Sequence, residues 1–285
     1  MIKQLTMATA LVTILASASF AQTAAQSAQI EAAIASAEAE CASGGSNCGD
    51  LLERAIASIV PAPITAATRI QLVASATARV TRSLPANMST NDVASLAAGA
   101  GRLAVQATSI ILEITDPAER AAALAAVPAA IEQISSAATS KAAERPEVAA
   151  QIASNLIVQI GRAPMTAAAR VDALSTLAAR VTESLPARMS TAAATVSIVD
   201  IIRVAATTTQ AIVDGAPPNE ADAVQAAAAT GRSAIVSAAA SQAARRPGSA
   251  AAISQTISLT LPPVESPPVD VPQASPTQVF NASPT

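Results

Sequence analysis

Apolar positions recur at three- and four-residue steps along most of this chain, and no sustained run alternates polar with apolar. Leu174, Ala178, Val181 and Leu185 follow a 4-3-4 spacing, and Val73, Ala76, Val80 and Leu84 nearly repeat it. Such spacing lines one face of an α-helix. The punctuation agrees, because Pro and Gly fall between the periodic stretches. A first helix is expected over Gln22–Glu40. Eight more follow, at Thr65–Ser83, Thr90–Leu112, Pro117–Ala143, Glu147–Ile160, Thr166–Ser184, Thr191–Val213, Pro218–Ala244 and Ser249–Leu259. The Thr191–Val213 segment is apolar on most sides and is expected to be the most buried. Pro128 lies inside its helix and should kink it.

One block recurs almost intact. Arg79–Thr90 reads RVTRSLPANMST, and 180–191 reads RVTESLPARMST, with ten of twelve positions identical. The offset of 101 residues aligns 51–151 with 152–252, and an apolar segment at Ile253–Leu261 begins like a third copy. Repeated helical units imply stacked or bundled architecture. The block itself reads as a corner. Pro85 ends one helix and holds Leu84 extended. Leu84 and Met88 face the core, and Ser89 or Thr90 caps the next helix, with Asp92 close behind. The fold expected is all-α: Ala-rich helical hairpins in two tandem repeats, as a bundle or a short α-solenoid.

The chain ends differ from this body. Residues 1–21 resemble a secretory signal peptide, with Lys3, an apolar Leu5–Leu15 and a Ser19-Phe20-Ala21 cleavage site. That apolar run falls short of the roughly 20 residues that span a bilayer. The other apolar stretches are interrupted by charges or Pro, so no transmembrane helix is expected in the mature chain. Segment 22–50 then carries Cys41 and Cys48 around Gly44-Gly45. In an exported chain two near cysteines form a disulfide. A ring this small contributes somewhat less than the roughly 3 kcal/mol of a 15-residue loop. Repeat 1 occupies 51–151, and repeat 2 with the truncated third occupies 152–261. Residues 262–285 hold seven prolines, a composition that favours extended polyproline II and buries no core, hence a disordered tail.

Composition narrows the chemistry. Residues are 51% hydrophobic but 1% aromatic, and His, Trp and Tyr are absent. Ala, the best helix former, dominates. A core without aromatics must gain from many small, close contacts. Without His the commonest general base and metal ligand are missing, so no metal or cofactor is expected. Ser140-Lys141 cannot form a dyad, because adjacent helical residues diverge. Asp116 with Glu119, and Glu220 with Asp222, sit at helix starts where acids complement the macrodipole. A net charge of −3 without a basic stripe excludes non-specific nucleic-acid binding.

Recurring arginines are the remaining candidates. Arg69, Arg79, Arg102 and Arg145 match Arg170, Arg180, Arg203 and Arg246. Structural pairing explains most of them. Arg102 and Arg203, with Arg79 and Arg180, are the candidate ligand contacts. The expected protein is exported to a bacterial periplasm or secreted. It acts without catalysis as a structural or protein-interaction module, with a protein partner reached through the Pro-rich tail. A carrier holding an apolar or amphipathic ligand between the repeats is the alternative, and an enzyme comes third.

Overall fold

The computed structural model describes residues 26, 28–44, 48–59, 61–62, 64–85, 89, 92, 111 and 114–260. The signal-peptide segment, the Thr90–Leu112 helix, Met88, Arg102 and the Pro-rich tail lie outside the described residues. Among the described residues the structure is helical and contains no strand, so the fold is all-α. The helices are α1 (28–42), α2 (Cys48–Ile59), α3 (Ala66–Ser83), α4 (Pro117–Glu144) and α5 (Ala149–Ile160). They continue with α6 (Ala167–Ser184), α7 (Thr191–Asp214), α8 (Ala221–Arg245) and α9 (Ala250–Thr260).

Short polar side chains cap the starts of α3, α4, α6 and α7. Thr65 and Thr166 accept from the amides of Thr68 and Ala169, each at 3.3 Å. Asp116 accepts from Ala118 at 2.8 Å, and Ser190 from Ala193 at 3.3 Å. Ser89 accepts from the Asp92 amide at 3.2 Å, so serine is the cap of the repeated block. The helix α2 was not expected. Its cysteine and the neighbouring glycines obscure a periodicity that Leu52, Ala55, Ile56 and Ile59 nevertheless bury.

Helices α3, α4, α6 and α8 form one row, with α5, α7 and α9 laid over it and α2 against α3. A continuous core of Ile, Val, Leu and Ala runs between the rows. Full burial of side chains such as Ile198, Ile201 and Leu174 contributes about 1.5–3 kcal/mol each. Small residues set the spacing. A Cβ added to Gly231 of α8 would lie 2.6 Å from Ser175 Cβ of α6, so only glycine permits that approach. The corresponding α3–α4 positions are Ala74 and Ala130, both buried.

The expectation for Thr191–Val213 needs correction. Helix α7 buries Ala194, Ser197, Ile198, Ile201, Ile202 and Ala205, one stripe at helical spacing. Val196 is 61% exposed and Arg203 is exposed as well. It is an outer-row helix, and its β-branched residues hide a one-sided pattern. Helix α4 continues through Pro128 as one 28-residue element. By length and composition alone, α4 and α7 could each cross a membrane. Both bury one side among their neighbours, and α7 carries Asp200 and Arg203 at its middle. A charge there would cost about 2.5–3.5 kcal/mol at a bilayer centre.

Neighbours within the first row run parallel. The Ala66 amide, at the start of α3, donates to Glu119 Oε1 at 3.2 Å, at the start of α4. At the other end Lys141 Nζ of α4 donates to the Leu84 carbonyl at 2.7 Å. The pair α6–α8 repeats both contacts. Ala167 donates to Glu220 Oε2 at 2.8 Å, and Gln242 Nε2 lies 3.3 Å from the Leu185 carbonyl. Each contact is related to its counterpart by 101 residues. Lys141 is 2% exposed, and Gln242 is fully buried.

Replacing Lys141 by leucine leaves the Leu84 carbonyl buried without a donor. We expect thermal and urea unfolding, followed by circular dichroism, to show a loss of about 1–3 kcal/mol. Lys141→Gln should stay within about 1 kcal/mol of the parent, because Gln242 performs the same task in α8. Equal losses in both variants would assign the stabilisation to charge instead.

Candidate functional site

The corner formed by Leu84-Pro85 and by Leu185-Pro186 is built from both sides. Each proline ends its helix, and the terminal carbonyls then require donors. Gln242 Nε2 reaches the Thr182 and Glu183 carbonyls at 2.8 and 3.0 Å. Arg246 Nη2 donates to the Pro186 carbonyl at 2.5 Å, and Arg145 Nη1 to the Pro85 carbonyl at 3.3 Å. Leu84 and Leu185 are buried, and Met189 packs partly against the core. Arg145 and Arg246 each stand at the end of a helix, just before a proline. Here they reach across to the carbonyls of a neighbour.

Arg145 also donates to Glu147, whose carboxyl is held below its ordinary range. Burial alone pushes that carboxyl up. The Arg145 hydrogen bond, a backbone hydrogen bond and the charges of Arg145 and Arg188 more than offset it.

The other recurring arginines divide by task. Arg69 donates to the carbonyls of Ala62 at 3.0 Å and Ile64 at 3.4 Å, and Arg170 to Gly161 at 2.9 Å. These hold the loops that enter α3 and α6. Arg79 joins α3 to α1 through Glu38 at 2.6 Å and Glu31 at 3.0 Å. Its pKa is raised, chiefly by the Glu38 hydrogen bond. Arg180 of α6 pairs with Glu132 of α4. Arg203 pairs with Asp200 one helical turn away at 3.1 Å, and both are largely exposed. The four candidate ligand contacts are therefore not gathered in one place. Arg79 and Arg180 lie on separate helix pairs, Arg203 lies on the outer row, and Arg102 is outside the described residues. Asp116 caps its own helix, whereas Glu119 and Glu220 cap the preceding helix of the row.

Cys41 and Cys48 are disulfide-bonded, with Cα atoms 4.7 Å apart, and both are buried. Among the described residues no group of His, Cys, Asp and Glu is arranged to hold a metal ion.

A groove of about 340 Å³ separates α4 from α6. Pro128, Ile131, Met165 and Leu177 supply its apolar lining, with Ser135 and Ala173 between them. Glu132, Asp172 and Arg180 also line it, all largely exposed. The groove falls at the junction of the two sequence copies, and Arg180 occupies the position between them. Sequence reasoning missed it because it needs small residues on two separate helices to face each other. The one available signal was the loss of bulk at Ser135 and Ala173, since the residues 101 positions earlier are Ile34 and Leu72.

The chain matches no protein-family model, no curated protein and no solved structure.

The lowered pKa of Glu147 has a defined pH signature. Its folded pKa lies below the unfolded value, roughly 4.3. The stability it contributes is complete above the unfolded value and is lost as pH falls through the folded one. Glu147→Gln should therefore melt below the parent at pH 7, and the gap should close below about pH 4. A gap that persists in acid would assign the effect to packing. Because Glu147 is about half exposed, the gap should also shrink in high salt.

Proposed function

We propose that this chain is an exported, non-catalytic scaffold of tandem helical repeats that presents surface to a protein partner. The observation that carries this reading is the recurrence of row contacts at 101 residues. Ala66–Glu119 and Ala167–Glu220, Leu84–Lys141 and Leu185–Gln242, and Pro85–Arg145 and Pro186–Arg246 are corresponding pairs. Repeat units joined mainly to their neighbours build extended surfaces rather than enclosed reaction chambers. Most recurring arginines meet backbone carbonyls or carboxylates of their own chain, which favours a structural role for them.

Export is supported by the Cys41–Cys48 disulfide, since such bonds persist in oxidising compartments. The signal-peptide character of 1–21 points the same way. In this reading the mature chain carries no membrane span. The Pro-rich segment 262–285 offers an extended ligand to the partner.

The groove between α4 and α6 favours a second reading, a carrier for a small amphipathic molecule. Its volume lies near the lower end of the roughly 300–1,000 Å³ typical of ligand pockets.

Affinity capture from the native host discriminates the two. A scaffold should retain a protein partner, and deletion of 262–285 should release it. A carrier should instead show a discrete small-molecule mass in native mass spectrometry, unaffected by that deletion. Capture of the same proteins with and without the tail would overturn the assigned role of 262–285.

A further inference from the structure

We propose that the α4–α6 groove binds a small alkylammonium, an aliphatic chain ending in a cation. The inference rests on the carrier reading and names the ligand class. Two features of the groove support it. The first is shape. The same helix-pair contact occurs between α1 and α3, where Arg79 meets Glu31 as Arg180 meets Glu132. At the positions of Ser135 and Ala173 that pair carries Ile34, which is fully buried, and Leu72, which packs on the core. Replacing both by small residues opens a slot. Leu177 stands where the first pair has Ala76, and it is fully buried as the floor. Ile131, Met165 and Pro128 complete apolar walls suited to an aliphatic stem.

The second feature is charge. Arg79 meets two carboxylates, and Gln71 is the neutral neighbour on α3. In the groove, Glu132 alone neutralises Arg180, and the position of Gln71 holds Asp172. Among the described residues Asp172 has no ion-pair partner. The charged groups facing the groove from both helices are thus Glu132, Asp172 and Arg180, a net charge of −1, with Ser135 and Thr176 as neutral polar groups. An apolar slot with an uncompensated carboxylate at its mouth suits an alkyl chain with a cationic head, and it disfavours a fatty acid.

Isothermal titration of the full chain with octylammonium, octanoate and octanol tests this, with each probe below its micelle concentration. Octylammonium should bind about tenfold more tightly than octanoate at low salt, since reversing the head charge exchanges an attraction for a repulsion. Asp172→Asn should weaken octylammonium about threefold and leave octanol unchanged. Ala173→Leu with Ser135→Ile copies the filled α1–α3 contact and should abolish binding of all three probes. Melting temperature checks that the filled variant folds, and Asp172→Asn tests the charge independently of packing. Octanoate binding as tightly as octylammonium, with both lost in the filled variant, would overturn the cation inference and leave the carrier reading standing. Binding that survives filling would place any site elsewhere and overturn the inference. No binding of any probe would overturn both.

Discussion

Parallel helices packed side by side stack their dipoles in the same direction, and every helix end leaves backbone groups unsatisfied. This architecture depends on how those ends are completed. In the pairs α3–α4 and α6–α8 the second helix reaches sideways to finish the first: a carboxylate takes an amide at the start, and a cation or amide side chain takes carbonyls at the finish. Glu119 and Lys141 do this for α3, and Glu220 and Gln242 do it for α6. An acid near two positive helix ends and a cation near two negative ones offset the unfavourable alignment. Apolar burial drives the association. The end contacts fix orientation and register, because a shift by one turn would strand several buried polar groups.

That arrangement also accounts for an aromatic-free core. Small side chains bring the helices close, as at Gly231 and Ser175, and close approach shortens the reach from one helix end to the next. Bulky rings would separate neighbouring helices of the row and move Lys141 away from the Leu84 carbonyl. Packing and capping are therefore coupled, and the prevalence of Ala serves both.

Much of this was legible in the sequence. Helices α3, α4 and α6 followed from apolar periodicity, Ser89 was one of two caps expected for the repeated block, and the role of Pro85 and Pro186 as helix stops required only their fixed φ. What escaped notice involves partners distant in sequence. Glu119 and Glu220 look like ordinary acids in their own first turns, because nothing in a linear reading places Ala66 or Ala167 beside them. Arg145 and Arg246 likewise resemble local caps. The groove was hidden for the same reason, since it arises where Ser135 and Ala173 meet across two helices. Helix α7 misled because Val and Ile on its outer side mask the distinction between a buried stripe and an exposed one.

The disulfide occupies a telling place. Counting back 101 residues from Lys141 and Arg145 gives Glu40 and Gly44, and from Ala142 and Ala149 gives Cys41 and Cys48. At these positions the chain carries neither cation, and a covalent bond ties α1 to α2. Turns held by few tertiary contacts open locally at low cost. A turn closed by a covalent staple resists such opening independently of ionic strength or pH. The α1–α2 turn is thereby tied to the oxidation state of its surroundings, while the corners at Pro85 and Pro186 remain indifferent to it.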